Sequence, residues 1–152
     1  MTSRHGAPAA VLLILGSLAL TACGGGGDEA SGSSGGEQSK ADFIAQADAL
    51  CAKARTAATS VKGSGIAAEA KEVTTAYVDL VAGLKALDAP EGDPGFSKFI
   101  ASAGAMGKKE GEAKAAATKE DVEELGALAG ELGPLVEKFE KEAKAYGLKK
   151  CG

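Results

Sequence analysis

The sequence predicts an all-α fold, an antiparallel up-down four-helix bundle. In four stretches after residue 39, apolar residues recur at alternating steps of four and three, the spacing that lines one face of a helix. Short breaks rich in glycine and proline, or polar, separate the stretches, as in bundles whose neighbouring helices run antiparallel. No stretch alternates apolar and polar residues as a half-buried strand does.

Helix one is expected to open at Ser39, with Asp42 three residues on, a reasonable N-terminal cap. Its stripe is Phe43, Ala47, Leu50, Ala54, Ala57 and Val61, with Cys51 beside Leu50, and Gly63-Ser64-Gly65 ends it. Helix two carries Ile66, Ala70, Val73, Tyr77, Leu80, Leu84 and Leu87, widened by Val81. It stops before Pro90, because proline disfavours helix at the preceding residue. The loop that follows gathers Asp88, Glu91 and Asp93. Hard cations want convergent oxygens, but the spacing does not match a calcium loop, and solvated carboxylates are the expectation.

Helix three, about Phe96 to Ala117, carries Phe96, Phe99, Ala103, Met106, Ala113 and Ala117. Glu110 falls on this stripe where an apolar residue is expected. It is placed near a bundle end, its carboxylate in water; the sharper alternative is a buried functional carboxylate. Thr118 with Asp121 is the expected cap of helix four, and Glu123 and Glu124 suit a helix N-terminus by its dipole. The fourth stripe is Val122, Leu125, Ala129, Leu132, Val136, Phe139, Ala143 and Tyr146. Pro134 interrupts it and is expected either to kink the helix or to split it in two. Gly147 followed by Leu148 is a stop signature.

Interior glycine costs about 1 kcal/mol against alanine in a helix, yet Gly104, Gly107 and Gly111 flank one stripe and Gly126, Gly130 and Gly133 the next. The two sets are expected to face each other and bring helices three and four unusually close. A thin-walled ligand groove is the alternative, lined by Phe99, Met106, Leu125 and Leu132.

The chain has 152 residues, and its N-terminal part reads as an address rather than as fold. A basic start with Arg4 and His5 precedes an apolar run from Ala7 to Ala22, the layout of a secretory signal. The run is too interrupted for a transmembrane helix, which needs ~20 apolar residues. It ends in Leu20-Thr21-Ala22-Cys23, which resembles the lipobox of bacterial lipoproteins. That resemblance implies cleavage after residue 22 and acylation of Cys23. The organisation expected is therefore a signal peptide over 1–22, a lipidated cysteine with a tether over 23–38, and a helical domain over 39–152. Ten of the fifteen residues from 24 to 38 are Gly or Ser, and such a coil spans roughly 20 Å.

Cleavage would leave 16 basic and 21 acidic residues. An acidic chain without a basic cluster or a tryptophan argues against nucleic acid as a partner. The sole histidine, His5, leaves with the signal. The mature chain then lacks an imidazole for general-base catalysis, zinc or haem ligation. No metal, cofactor or catalytic residue is expected, and no enzymatic activity.

With Cys23 acylated, Cys51 and Cys151 remain as one pair in an oxidising compartment. An internal bridge is expected, with two free thiols or mixed disulfides as alternatives. Cys51 lies about twelve residues into helix one, roughly 18 Å along it, and residues 147–151 can fold back about that far. Together the lipobox, Asp42-Phe43-Ile44 with Ala47-Asp48 and Cys51, and the ending Ala145-Tyr146-Gly147-Leu148-Lys149-Lys150-Cys151-Gly152 resemble small lipoproteins of high-GC Gram-positive, actinobacterial type. The resemblance implies export, acylation and a helical domain; it brings no established activity and no functional residues.

The function expected is a non-enzymatic binding module held by its lipid at the extracytoplasmic face of the cell membrane. Its partner would be an envelope protein or a wall component. The alternative is a carrier or sensor of a small apolar ligand held between helices.

Overall fold

The computed structural model describes residues 38–90 and 92–152. The lipobox with Cys23 and the tether therefore lie outside the described residues, apart from Gln38. Four helices pack against one another: α1 (Lys40–Thr59), α2 (Ile66–Ala86), α3 (Pro94–Thr118) and α4 (Val122–Tyr146). Among the described residues there is no strand, and no helix is long and apolar enough to cross a membrane.

Local chemistry sets the ends. The Ser39 side chain accepts the Asp42 N–H at 3.2 Å and caps α1. Asp93 caps α3 by accepting the Gly95 N–H at 2.9 Å, with Pro94 at the first helical position, so α3 begins two residues before Phe96. Asp93 also pairs with Lys40 at 2.9 Å, and the ammonium holds its carboxyl below the ordinary value. That contact accounts for one acid of the loop; among the described residues no group of acids is arranged to hold a metal ion.

The cap of α4 is Asp121, which accepts the Glu124 N–H at 3.0 Å. Thr118 instead donates its hydroxyl back to the Lys114 carbonyl and belongs to α3, so the cap sits three residues later than expected. Pro134 does not split α4, which is one helix from Val122 to Tyr146 with the proline inside it. Gly147 takes a left-handed φ of 114°. The N–H groups of Leu148 and Gly147 return to the Ala143 and Lys144 carbonyls at 2.9 and 3.1 Å. This is the glycine stop with its apolar follower; Leu148 is buried.

Two apolar clusters form the interior. The larger joins α1, α2, the first half of α3, the last half of α4 and the tail. Phe43 is at its centre, fully buried, edge-on to Phe96, Phe99 and Tyr146 with ring centroids 5.1, 6.2 and 5.8 Å away. Phe99 also meets Phe139 at 5.7 Å. All four phenylalanines of the chain lie in this one assembly. The smaller cluster, Ala113, Ala116, Ala117, Leu125 and Leu128, holds the end of α3 to the start of α4.

The tail closes the domain. Cys51 and Cys151 form a disulfide with Cα atoms 5.1 Å apart, a separation typical of such bridges. Asp48, one turn before Cys51, accepts the Lys149 and Lys150 N–H groups at 2.9 and 2.8 Å. No Cα atom of α1 lies within 8 Å of a Cα atom of α4. Aromatic rings and the clipped tail, rather than close backbone packing, join them.

The glycines do not zip α3 to α4. A methyl group added at Gly107 would sit 2.7 and 2.9 Å from Val81 Cγ1 and Cβ, on α2. Gly104 likewise looks toward Lys85 of α2, and Gly126, Gly130 and Gly133 have open space where a Cβ would be. Periodicity correctly grouped each set on one flank but gave no information about which neighbour lies opposite. The consequence is a difference in sign. Gly107→Ala is expected to destabilise by about 1–2 kcal/mol, because Val81 Cβ is fixed to its backbone and overpacking outweighs the gain in helix propensity. Gly130→Ala, unopposed, is expected to stabilise by about 0.4–1 kcal/mol. Urea melts of the two variants check both.

Candidate functional site

A groove of about 520 Å³ opens at the end of the bundle opposite the disulfide and the aromatic assembly. Its walls are the first half of α2 (Ile66, Ala70, Val73, Thr74), the second half of α3 (Glu110, Ala113) and the first half of α4 (Val122, Leu125, Gly126, Ala129, Leu132). No residue of α1 lines it. Three helices wall the space, and the side that a fourth would cover stays open.

That opening explains two departures from the helical stripes. Ile66 and Val122 were expected inside by spacing, yet they are 65% and 51% exposed. Both lie on the groove lining. They keep the phase of their helices but have no facing helix to bury them. The volume lies within the ~300–1,000 Å³ typical of small-molecule sites, which are mostly apolar with a few placed polar groups.

Glu110 is the buried carboxylate of this site. It is 4% exposed, so the expectation of a carboxylate in water at a bundle end is corrected. The residue lies sixteen positions into a 25-residue helix, under α2 and α4, where its Cβ direction follows the core stripe. Its Oε2 has no hydrogen-bond partner. Burial pushes the carboxyl from its ordinary value of 4.5 up to about 7.

The charges around it leave it unpaired. Lys109, the adjacent cation on α3, is held by Glu112 at 2.6 Å and by Glu131 of α4 at 2.7 Å. Those two carboxylates raise the Lys109 pKa and keep the ammonium occupied. From α2, Glu69 lines the groove. Tyr77 lies close enough for the Glu110 charge to add to the upward shift that burial gives its hydroxyl. From α4 the lining carries no titratable side chain. Thr74 spends its hydroxyl on the Ala70 carbonyl of its own helix at 2.7 Å.

Linkage follows from that shift. Between pH 4.5 and about 7 the folded chain holds a proton on Glu110 that the unfolded chain has lost, so stability falls as pH rises through this window. The loss is about 3 kcal/mol at ~1.4 kcal/mol per pH unit, complete above pH 7 and absent below the unfolded value. Glu110→Gln is expected to remove this dependence and to leave the protein more stable than wild type at pH 8. Urea denaturation at pH 4.5 and pH 8 measures it, and equal pH slopes in the two proteins would contradict it.

Of the four lining residues expected from sequence, Leu125 and Leu132 stand in the groove. Phe99 and Met106 do not; both are fully buried in the larger cluster. Met106 instead borders a small cleft of about 30 Å³ beside the disulfide. The other ten lining residues, Glu110 among them, were not expected there; for Ile66, Ala70, Val73, Ala113, Val122 and Ala129 the signal was their place on the apolar stripes of α2, α3 and α4. Comparison with protein-family models, with curated proteins and with solved structures finds no match for this chain.

Proposed function

We propose that this chain is a non-enzymatic lipoprotein of the bacterial envelope whose helical domain holds a small, largely apolar ligand in the groove between α2, α3 and α4. The observation that carries the reading is the groove itself: about 520 Å³, walled by valine, leucine, isoleucine and alanine, with one buried carboxylate. The lipobox-like Leu20–Cys23 and the Gly/Ser-rich stretch after it support removal of residues 1–22, acylation at Cys23 and display on the extracytoplasmic face of the membrane. A single acyl chain holds marginally, and two or more hold stably. A tether of roughly 20 Å lets the domain stand off the bilayer.

Exposed Ile66 and Val122 at the groove favour a second reading, in which an envelope protein or wall component covers the same face. Nile red, a neutral apolar fluorophore, separates them. Carrier function predicts saturable one-to-one binding with blue-shifted emission. Gly126→Leu, placed where a Cβ meets no atom within 4 Å, fills the groove and should abolish the signal. Gly130→Ala, outside the lining, should leave it. Binding that ignores Gly126→Leu, or no binding at all, would contradict the carrier reading.

A further inference from the structure

We propose that the groove takes a cationic amphiphile, an apolar chain or ring bearing an amine, whose ammonium meets the Glu110 carboxylate. This rests on the reading of the groove as a ligand site and adds the chemistry of its ligand. The two titratable groups in the lining, Glu69 and Glu110, are both acidic, and no lysine, arginine or histidine lines it. An anionic ligand would therefore meet like charge and no counter-ion.

Glu110 itself is more than nine-tenths buried, and Oε2 is without a hydrogen bond. Burying an unpaired carboxylate is costly, and the cost is relieved when a partner of opposite charge arrives with hydrogen bonds. The nearby protein cation cannot serve, since Lys109 is already gripped by Glu112 and Glu131 from α3 and α4. Tyr77 on α2 makes no hydrogen bond to it. Glu110 contributes to the groove wall, so a ligand seated there lies beside it. An ammonium on an apolar body satisfies both parts of the lining at once.

The carboxyl is half-protonated near pH 7, so the amine should bind more tightly as pH rises from 5.5 to 8. Over that range an alkylamine stays protonated.

The test is a calorimetric titration of the full chain, with Cys23→Ser to keep it free of lipid. Decylamine, decanol and decanoate are compared below their aggregation concentrations. At pH 8 the amine should bind at least tenfold more tightly than the alcohol, with decanoate weakest. Glu110→Gln should bring the amine to the level of the alcohol. In the wild type, lowering the pH to 5.5 should weaken the amine alone, a readout that needs no variant to fold. Gly126→Leu should block all three. Alcohol binding with no preference for the amine would overturn the cationic ligand and leave the groove reading standing. Failure of all three ligands would overturn both.

Discussion

Replacing the disulfide with Cys51→Ala and Cys151→Ala together is expected to lower stability by about 4–5 kcal/mol. The bridge joins residues 100 positions apart, and the chain-entropy model gives ~4.7 kcal/mol for a loop of that length. A domain of this size holds ~5–15 kcal/mol in total, so the variant should sit near the edge of folding at 37 °C. The structure says where the loss will be felt. Helix α1 packs its backbone on α2, does not approach that of α4, and is tied to the tail by Cys51 and by Asp48. Hydrogen exchange should therefore show α1 and residues 148–151 losing protection first. A midpoint in urea within 1 kcal/mol of wild type would contradict this account of closure.

Phe43→Ala is expected to cost about 3–5 kcal/mol, the range for removing a fully buried phenylalanine. The upper part of that range is favoured here. Phe43 stands edge-on to three rings, from the starts of α3 and the end of α4, and aromatic pairs add ~0.5–1.5 kcal/mol beyond their area. Phe99, one of those rings, is itself stacked on Tyr146 with centroids 5.6 Å apart, which resists its collapse into the space. Phe43→Leu, which keeps most of the volume, should recover more than half of the loss. A Phe43→Ala cost below 1 kcal/mol would mean that the aromatic assembly does not hold α1 in place.

Much of the fold is legible in the sequence because helical spacing places residues on faces. Phe43, Ala47 and Ala54, or Phe139, Ala143 and Tyr146, are buried in the phase their spacing predicts. Spacing carries no information about what stands opposite. Gly107 sits on the flank expected, yet its neighbour is Val81 of α2 rather than α4. Ile66 and Val122 obey the pattern and are exposed, because the fourth wall is missing at their end. Glu110 shows the same limit from the other side. As a charged residue on an apolar stripe it stands out in the sequence, but its burial depends on α2 and α4 closing over it. The Asp48 clamp on Lys149 and Lys150 spans 101 and 102 positions and has no local signal at all.

The function proposed for this chain is that a membrane-held helical domain carries a small ligand in the groove beside Glu110. Native mass spectrometry of the protein, extracted gently from its own membrane, addresses it most directly. The expected mass lacks residues 1–22, is increased by acylation at Cys23 and is reduced by two hydrogens for the disulfide, with a small basic companion that Gly126→Leu loses. An acylated protein with no small companion, or a companion that Gly126→Leu retains, would contradict the claim.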